Sequence, residues 1–223
     1  LLAACAGAST TPTPTPTPTK TPTPACVTWS VVASPTTTQY PLSALRGVVA
    51  LSPTEAWAVG STYRHEETLV QAASLIERWN GSSWSIVASP GGGFLNSIAA
   101  VSANDIWAVS GSSGQLPGVA PYTHDTAIVH WNGTQWSVVS GTPTSSSLDA
   151  IVARASNDVW AVGSTTSAGV MRPLAIHWNG SAWQVVTTPA PTDSTRSYLS
   201  AVAAIPGTNQ RWAVGLTLKA SGV

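Results

Sequence analysis

Two short runs carry the residue types that could do chemistry: Tyr63-Arg64-His65-Glu66-Glu67, and Tyr122-Thr123-His124-Asp125 at the end of a long polar stretch. An imidazole beside a carboxylate is the minimal kit for general acid–base work, and two or three such groups converging could hold a metal ion. Neighbours on a strand point to opposite sides, so His65 with Glu66, or His124 with Asp125, would cooperate only on a loop. The residues therefore define no catalytic set, no metal site and no cofactor. They nominate Tyr63, Arg64, His65, Glu66, Glu67, Tyr122, His124, Asp125 and Arg172 for contact with a ligand or partner, with smaller contributions from Arg196 and Tyr198.

What those residues can reach depends on the elements that carry them, and these repeat. From residue 27 onward the chain recurs with a period of about 50 residues, a length typical of propeller blades and solenoid units. Three tryptophan series mark it: Trp57, Trp107, Trp160 and Trp212 in "WAV"; Trp79, Trp131 and Trp178 in "WNG"; Trp29, Trp84, Trp136 and Trp183 in "WSVV" and its variants. Together they account for all 11 tryptophans. Each period reads as four short strands, as in "FLNSIAAVS", "IWAVS", "TAIVHW" and "TQWSVV", with Asn132-Gly133 expected to form a two-residue type I′ turn. The chain offers no useful amphipathic run at helical spacing. The expected fold is all-β: a β-propeller of four-stranded antiparallel blades, three complete and a fourth in part, over residues 27–223.

Blades pack face to face, so their middle strands should be nearly continuously apolar and the recurring tryptophans should fill the wedges between them. A burial of this kind contributes about 1.5 to 3 kcal/mol per aromatic. His130 and His177 recur in register before a "WNG" tryptophan and read as structural; Glu55, Asp105 and Asp158 recur before the second strand and read as turn caps. "VTWSVVASP" at residue 27 has the character of a fourth strand that precedes any first strand, as when an N-terminal strand completes the last blade. Since closure alone removes sheet edges, the expectation is a ring of about six to eight blades, more than this chain provides, with a four-bladed ring needing one more strand as the alternative.

The repeat resembles those of the kelch and tectonin groups of β-propellers, on "WSIVASP", "IWAVS" and "WNGTQW". The resemblance spans residues 27–223 and implies the fold. Kelch repeats carry Gly-Gly after the second strand, where this chain has Gly60 or Gly163 followed by Ser. The sialidase-type Asp-box is matched at Gly81 and Trp84, with Trp79 where its Asp belongs.

Residues 1–9 resemble the end of a bacterial lipoprotein signal peptide: Leu2-Ala3-Ala4-Cys5 is a lipobox, whose chemistry attaches a diacylglycerol to the Cys5 thiol. Residues 10–26 are a Thr/Pro-rich linker that can form neither helix nor ladder and extends about 3.1 Å per residue. Lipidation of Cys5 would leave Cys26 unpaired; without it, a disulfide between the two is open. The expected location is exported, at the cell envelope, with the membrane reached only through Cys5. Nine basic and nine acidic residues cancel, and no basic cluster offers the phosphate neutralisation that nucleic acid requires. Constant turns lie on one side of the repeats and variable connections on the other, where function normally rides. The favoured reading is a non-catalytic module binding a glycan or a protein at the cell surface. The alternative is a propeller-type glycan hydrolase or lyase whose active site other blades complete.

Overall fold

The computed structural model describes residues 2–4, 29–65, 70–91, 93–111, 126–190 and 192–219. Among them there are strands and no helix. β1 (Leu2–Ala4), within the lipobox-like run, pairs antiparallel with β2 (Ser30–Val32). Cys5, Cys26 and the Thr/Pro linker lie outside the described residues.

The repeats then form sheets whose hydrogen-bonded order follows the chain. The first holds β3 (Leu42–Ser52), β4 (Glu55–His65), β5 (Val70–Trp79) and β6 (Trp84–Ile86). The second holds β7 (Leu95–Ser102), β8 (Asp105–Ser110), β9 (Ile128–Trp131) and β10 (Trp136–Val139). The third holds β11 (Ser146–Ala155), β12 (Asp158–Ser167), β13 (Val170–Trp178) and β14 (Trp183–Val186). Every pairing within these three is antiparallel. The hairpin of β15 (Ser194–Ala204) and β16 (Arg211–Lys219) joins the third sheet through one parallel bridge, Met171 to Arg196.

The turn from third to fourth strand differs from the sequence expectation. Trp79 opposes Trp84, Trp131 opposes Trp136 and Trp178 opposes Trp183, so four residues separate each pair. Gly81, Gly133 and Gly180 have φ of 97°, 96° and 98°, while the asparagines before them are not among the positive-φ residues. A type I′ turn needs positive φ at both centres. Here each Asn side chain turns the corner instead: Asn80 Oδ1 accepts the amides of Ser82 and Ser83 at 2.9 Å, and Asn132 and Asn179 do the same. The glycine is doubly required, since a Cβ on Gly81 would also sit 2.9 Å from Thr54 in the adjoining turn. A two-residue turn with both centres at positive φ occurs elsewhere, at Ala168-Gly169 between β12 and β13.

The sheets pack face to face. Trp57 of the first stands 4.9 Å from Trp131 and 5.6 Å from Trp136 of the second, ring centroid to centroid. Trp107 of the second stands 5.3 Å from Trp178 and 5.7 Å from Trp183 of the third. Around the first contact lie Val59, Ile76, Leu95, Ile106 and Val129; around the other lie Val109, Ile128, Leu148, Val159 and Ile176. The middle strands of the second sheet are apolar on both faces because that sheet has a neighbour on both. Two further tryptophans depart from the expected packing: Trp29 beside β2 and Trp212 on β16 are exposed, because no further sheet lies against them among the described residues.

This packing sets a difference in stability. Trp107 is 2% exposed, and Trp107→Ala should cost about 3 to 5 kcal/mol. The half-buried Trp160, with no tryptophan pair from a following sheet upon it, should cost clearly less as Trp160→Ala. Urea unfolding of both variants checks the order, and equal losses would refute the assignment.

Candidate functional site

Positions that repeat unchanged are scaffold, so a functional site is to be sought where repeats occupy one position with different chemistry. The first strand of every repeat contains such a position. Register slips between Leu45 and Gly47, Leu95 and Ser97, Leu148 and Ala150, and Leu199 and Ala201. The residue left over in each β-bulge is Arg46, Asn96, Asp149 or Ser200. A bulge re-aims one side chain out of the pleat without disturbing the strand's apolar face.

These strands lie next to one another in the order β3, β7, β11, β15. Asn96 Nδ2 donates to the Leu148 carbonyl at 2.9 Å, and the Ile151 amide donates to Ser97 Oγ at 3.3 Å. A Cβ on Gly47 would meet the Ser97 and Ile98 backbone at 3.2 Å. The bulges thus form a row carrying a guanidinium, a carboxamide, a carboxylate and a hydroxyl. Arg46 is exposed and has no hydrogen bond or ion pair among the described residues; Asn96 and Asp149 are half-buried, and Ser200 is exposed. Mixed donors and acceptors in a row suit a polar ligand with many hydroxyls or amides. A signal for the row stands in the sequence, as Leu-polar-small at LRG, LNS, LDA and LSA.

The residues nominated from sequence fall elsewhere. Tyr63, Arg64 and His65 stand on β4, which extends through what reads as a loop and turns back with His65 opposite Val70. The Arg64 guanidinium lies 5.9 Å above the Tyr40 ring. Arg172 is likewise a strand residue, on β13 opposite Thr165, and donates to Ser194 Oγ at 2.9 Å. Arg196 reaches Met171 Sδ and lies 5.9 Å over Tyr198, where β13 joins β15. Glu66, Glu67, Tyr122, His124 and Asp125 lie outside the described residues. Among the described residues no cluster of His, Cys, Asp and Glu could hold a metal ion.

The carboxylates that recur before the second strand, expected as turn caps, bond across strands instead. Ser52 and Ser102 hydroxyls accept the turn amides of Thr54 and Asn104. The acids reach across to the third strand: Glu55 to Arg78 at 2.8 Å, Asp105 to His130 at 2.8 Å, Asp158 to His177 at 3.1 Å. Each basic partner then lies against the tryptophan of the second strand, with Arg78 5.1 Å over Trp57, and His130 and His177 4.1 and 4.5 Å from Trp107 and Trp160. Trp107 and Trp160 donate their indole N–H to the same carboxylates at 2.7 and 2.9 Å. An Asp–His pair with its ring against an indole ties strands together and is poorly placed for proton transfer. Burial works to raise the pKa of Asp105, but hydrogen bonds from Ser156, His130 and Trp107 outweigh it and leave the carboxyl lowered. Burial of Asp158 is outweighed in the same way, by Trp160, Arg211 and His177.

Glu77 is the exception. It occupies the position of Val129 and Ile176, on the face of the first sheet turned away from the second, and is 0% exposed. Ser34 Oγ lies 2.8 and 3.0 Å from its two carboxylate oxygens. Burial raises its pKa, only partly offset by that bond. No known protein-family model matches the chain, and no curated protein matches it in sequence.

A raised folded pKa contributes stability below the ordinary glutamate range and loses it as pH rises through the raised value. The Glu77 contribution should therefore decline with rising pH above that range, and Glu77→Gln should remove this decline. Asp105 and Asp158 have the opposite sign: their contribution is lost as pH falls below the ordinary aspartate range. Melting temperatures of wild type and Glu77→Gln across acidic to neutral pH read the difference. Parallel curves would refute the burial of an ionisable Glu77.

Proposed function

We propose that the sheets are blades of a β-propeller, and that the protein is an exported, non-catalytic module binding a glycan or a protein at the cell envelope, anchored by lipid on Cys5. The arrangement that supports the propeller is the side-by-side order of the first strands, with successive sheets stacked face to face through one repeated tryptophan contact. The observation that carries the binding reading is the bulge row. Four repeats that agree in their leucines and tryptophans place Arg46, Asn96, Asp149 and Ser200 at one position on neighbouring strands. A rigid scaffold presenting unlike polar groups side by side recognises a ligand through several hydrogen bonds at once.

The test is a glycan array and an envelope-protein pull-down with the purified chain, each repeated with Arg46→Gln and Asp149→Asn together. Binding should fall by at least about tenfold, equivalent to about 1.4 kcal/mol, while the melting curve moves little. Binding untouched by the double variant would remove the row from the site, and cleavage of a glycan during the assay would overturn the non-catalytic reading. For the anchor, Cys5→Ser should release the protein from the membrane fraction, measured by fractionation of the expressing cells; retention there would refute it.

A further inference from the structure

Each turn from third to fourth strand carries one group more than the turn requires. The asparagine is needed for its Oδ1, which takes two backbone amides, and the glycine for its positive φ. The residue three after the asparagine gives only its amide, and it varies as Ser83, Gln135 or Ala182. The residue two after it also gives its amide, yet every time it is a hydroxyl residue, Ser82, Thr134 or Ser181. Those hydroxyls add a third donor to an oxygen already served by two, at 2.9, 2.8 and 2.9 Å. Asn80-Gly81-Ser82, Asn132-Gly133-Thr134 and Asn179-Gly180-Ser181 thus share the pattern Asn-x-Ser/Thr, with x not proline, that marks an acceptor of N-linked sugar. The remaining asparagines, Asn96, Asn104, Asn157 and Asn209, have no hydroxyl residue two positions on.

The geometry presents the reactive atom. Three donors on Oδ1 fix the side-chain amide with its oxygen facing into the turn. Oxygen and nitrogen diverge from Cγ, so Nδ2 faces outwards, and it makes no hydrogen bond among the described residues. Asn80, Asn132 and Asn179 are exposed, and so are Ser82, Thr134 and Ser181. The three turns stand at the same end of their sheets, each tied by an indole bond to the neighbouring constant turn. Tyr63 and Arg172 stand toward the opposite ends of the strands.

We infer that Asn80, Asn132 and Asn179 are acceptors of N-linked glycans, which cover the constant-turn end of the sheets. The donor is a sugar activated by phosphate at its anomeric carbon, delivered by a transferase at the exporting membrane. Nδ2 bonds to the anomeric carbon as the bond from that carbon to the phosphate oxygen breaks. The phosphate leaves with the electron pair, and Nδ2 releases one proton. Oδ1 keeps its donors throughout, so the turn survives the modification. A bulky, hydrophilic chain on each turn leaves the opposite strand ends bare for a ligand. The inference rests on the export proposed above and not on the identity of the ligand.

The test is peptide-level mass spectrometry of the full chain from the envelope and cytoplasmic fractions of the cells that produce it. The envelope form should carry sugar on Asn80, Asn132 and Asn179, and none on Asn96, Asn104, Asn157 or Asn209. Asn132→Asp keeps an oxygen for the turn and removes the nitrogen, so it should lose one glycan with an unchanged melting curve. Thr134→Val should lose the same glycan, and Thr134→Ser should retain it. Bare Asn80, Asn132 and Asn179 in the envelope form overturn the inference and leave export standing, and so does their deamidation to aspartate without sugar. Sugar that persists in Asn132→Asp at that turn, or in Thr134→Val on Asn132, overturns it as well. A chain found only in the cytoplasm overturns export and this inference together.

Discussion

The contact of one tryptophan with a crossed pair from the next sheet governs the rest of the structure. A tryptophan buries about 150 to 250 Å², at most about 4 to 6 kcal/mol at 25 cal/mol per Å², an upper bound on the roughly 1.5 to 3 kcal/mol expected from sequence because the unfolded chain already hides part of that area. Against that stand the buried indole N–H groups of Trp57, Trp136 and Trp183, which have no hydrogen-bond partner among the described residues. Each costs about 1 to 3 kcal/mol. Burial wins, and of the other indoles Trp107 and Trp160 donate to Asp105 and Asp158. Trp79, Trp131 and Trp178 donate to the carbonyls of Pro53, Ala103 and Ser156 in the neighbouring turn, and that bond holds the two constant turns of each repeat against one another.

The carboxylates follow from the same contact. Asp105 and Asp158 are short enough to accept the indole N–H of the tryptophan two residues on while also holding a histidine across the strands. Glu55 is one methylene longer, pairs with Arg78 instead and leaves the Trp57 N–H unpaired. Asp158 also holds Arg211 of the following hairpin, and Arg211 lies 4.8 Å over Trp160. Charge is scarce in this chain, and among the described residues much of it is spent on fastening strands around tryptophans.

Most of the fold was legible because it rests on periodicity. Trp57, Trp107 and Trp160 recur at fixed places in a four-strand pattern, and the strands around Ile106 and Ile128 follow from apolar runs. The turn geometry was not legible in that way: Asn-Gly is compatible with a two-residue turn, and only the Asx bonds of Asn80, Asn132 and Asn179 show that four residues are used. The row at Arg46, Asn96, Asp149 and Ser200 was harder still. A polar residue beside Leu45 or Leu148 looks like the outward half of an alternating strand, and a bulge leaves no mark in composition. Only the coincidence of Leu-polar-small in four repeats betrays it. Tyr63, Arg64 and Arg172 read as loop because they are polar and far from any tryptophan, whereas backbone pairing carries the strands past them.

The bulges also explain how the first strands can vary at all. In a regular strand a change from Arg to Asp would fall on a face packed against another sheet, where an unpaired charge costs several kcal/mol. At a bulge the extra residue falls outside the register of the ladder, while Leu45, Leu95, Leu148 and Leu199 beside it continue to occupy their places. Glu77 shows what happens without that freedom. It sits at a regular position filled by Val129 and Ile176 in the other sheets, and there its carboxyl is desolvated, has its pKa raised and depends on Ser34. Polar chemistry is tolerated at Arg46 and strained at Glu77 for one reason, whether the backbone places the side chain outside the packed face or within it.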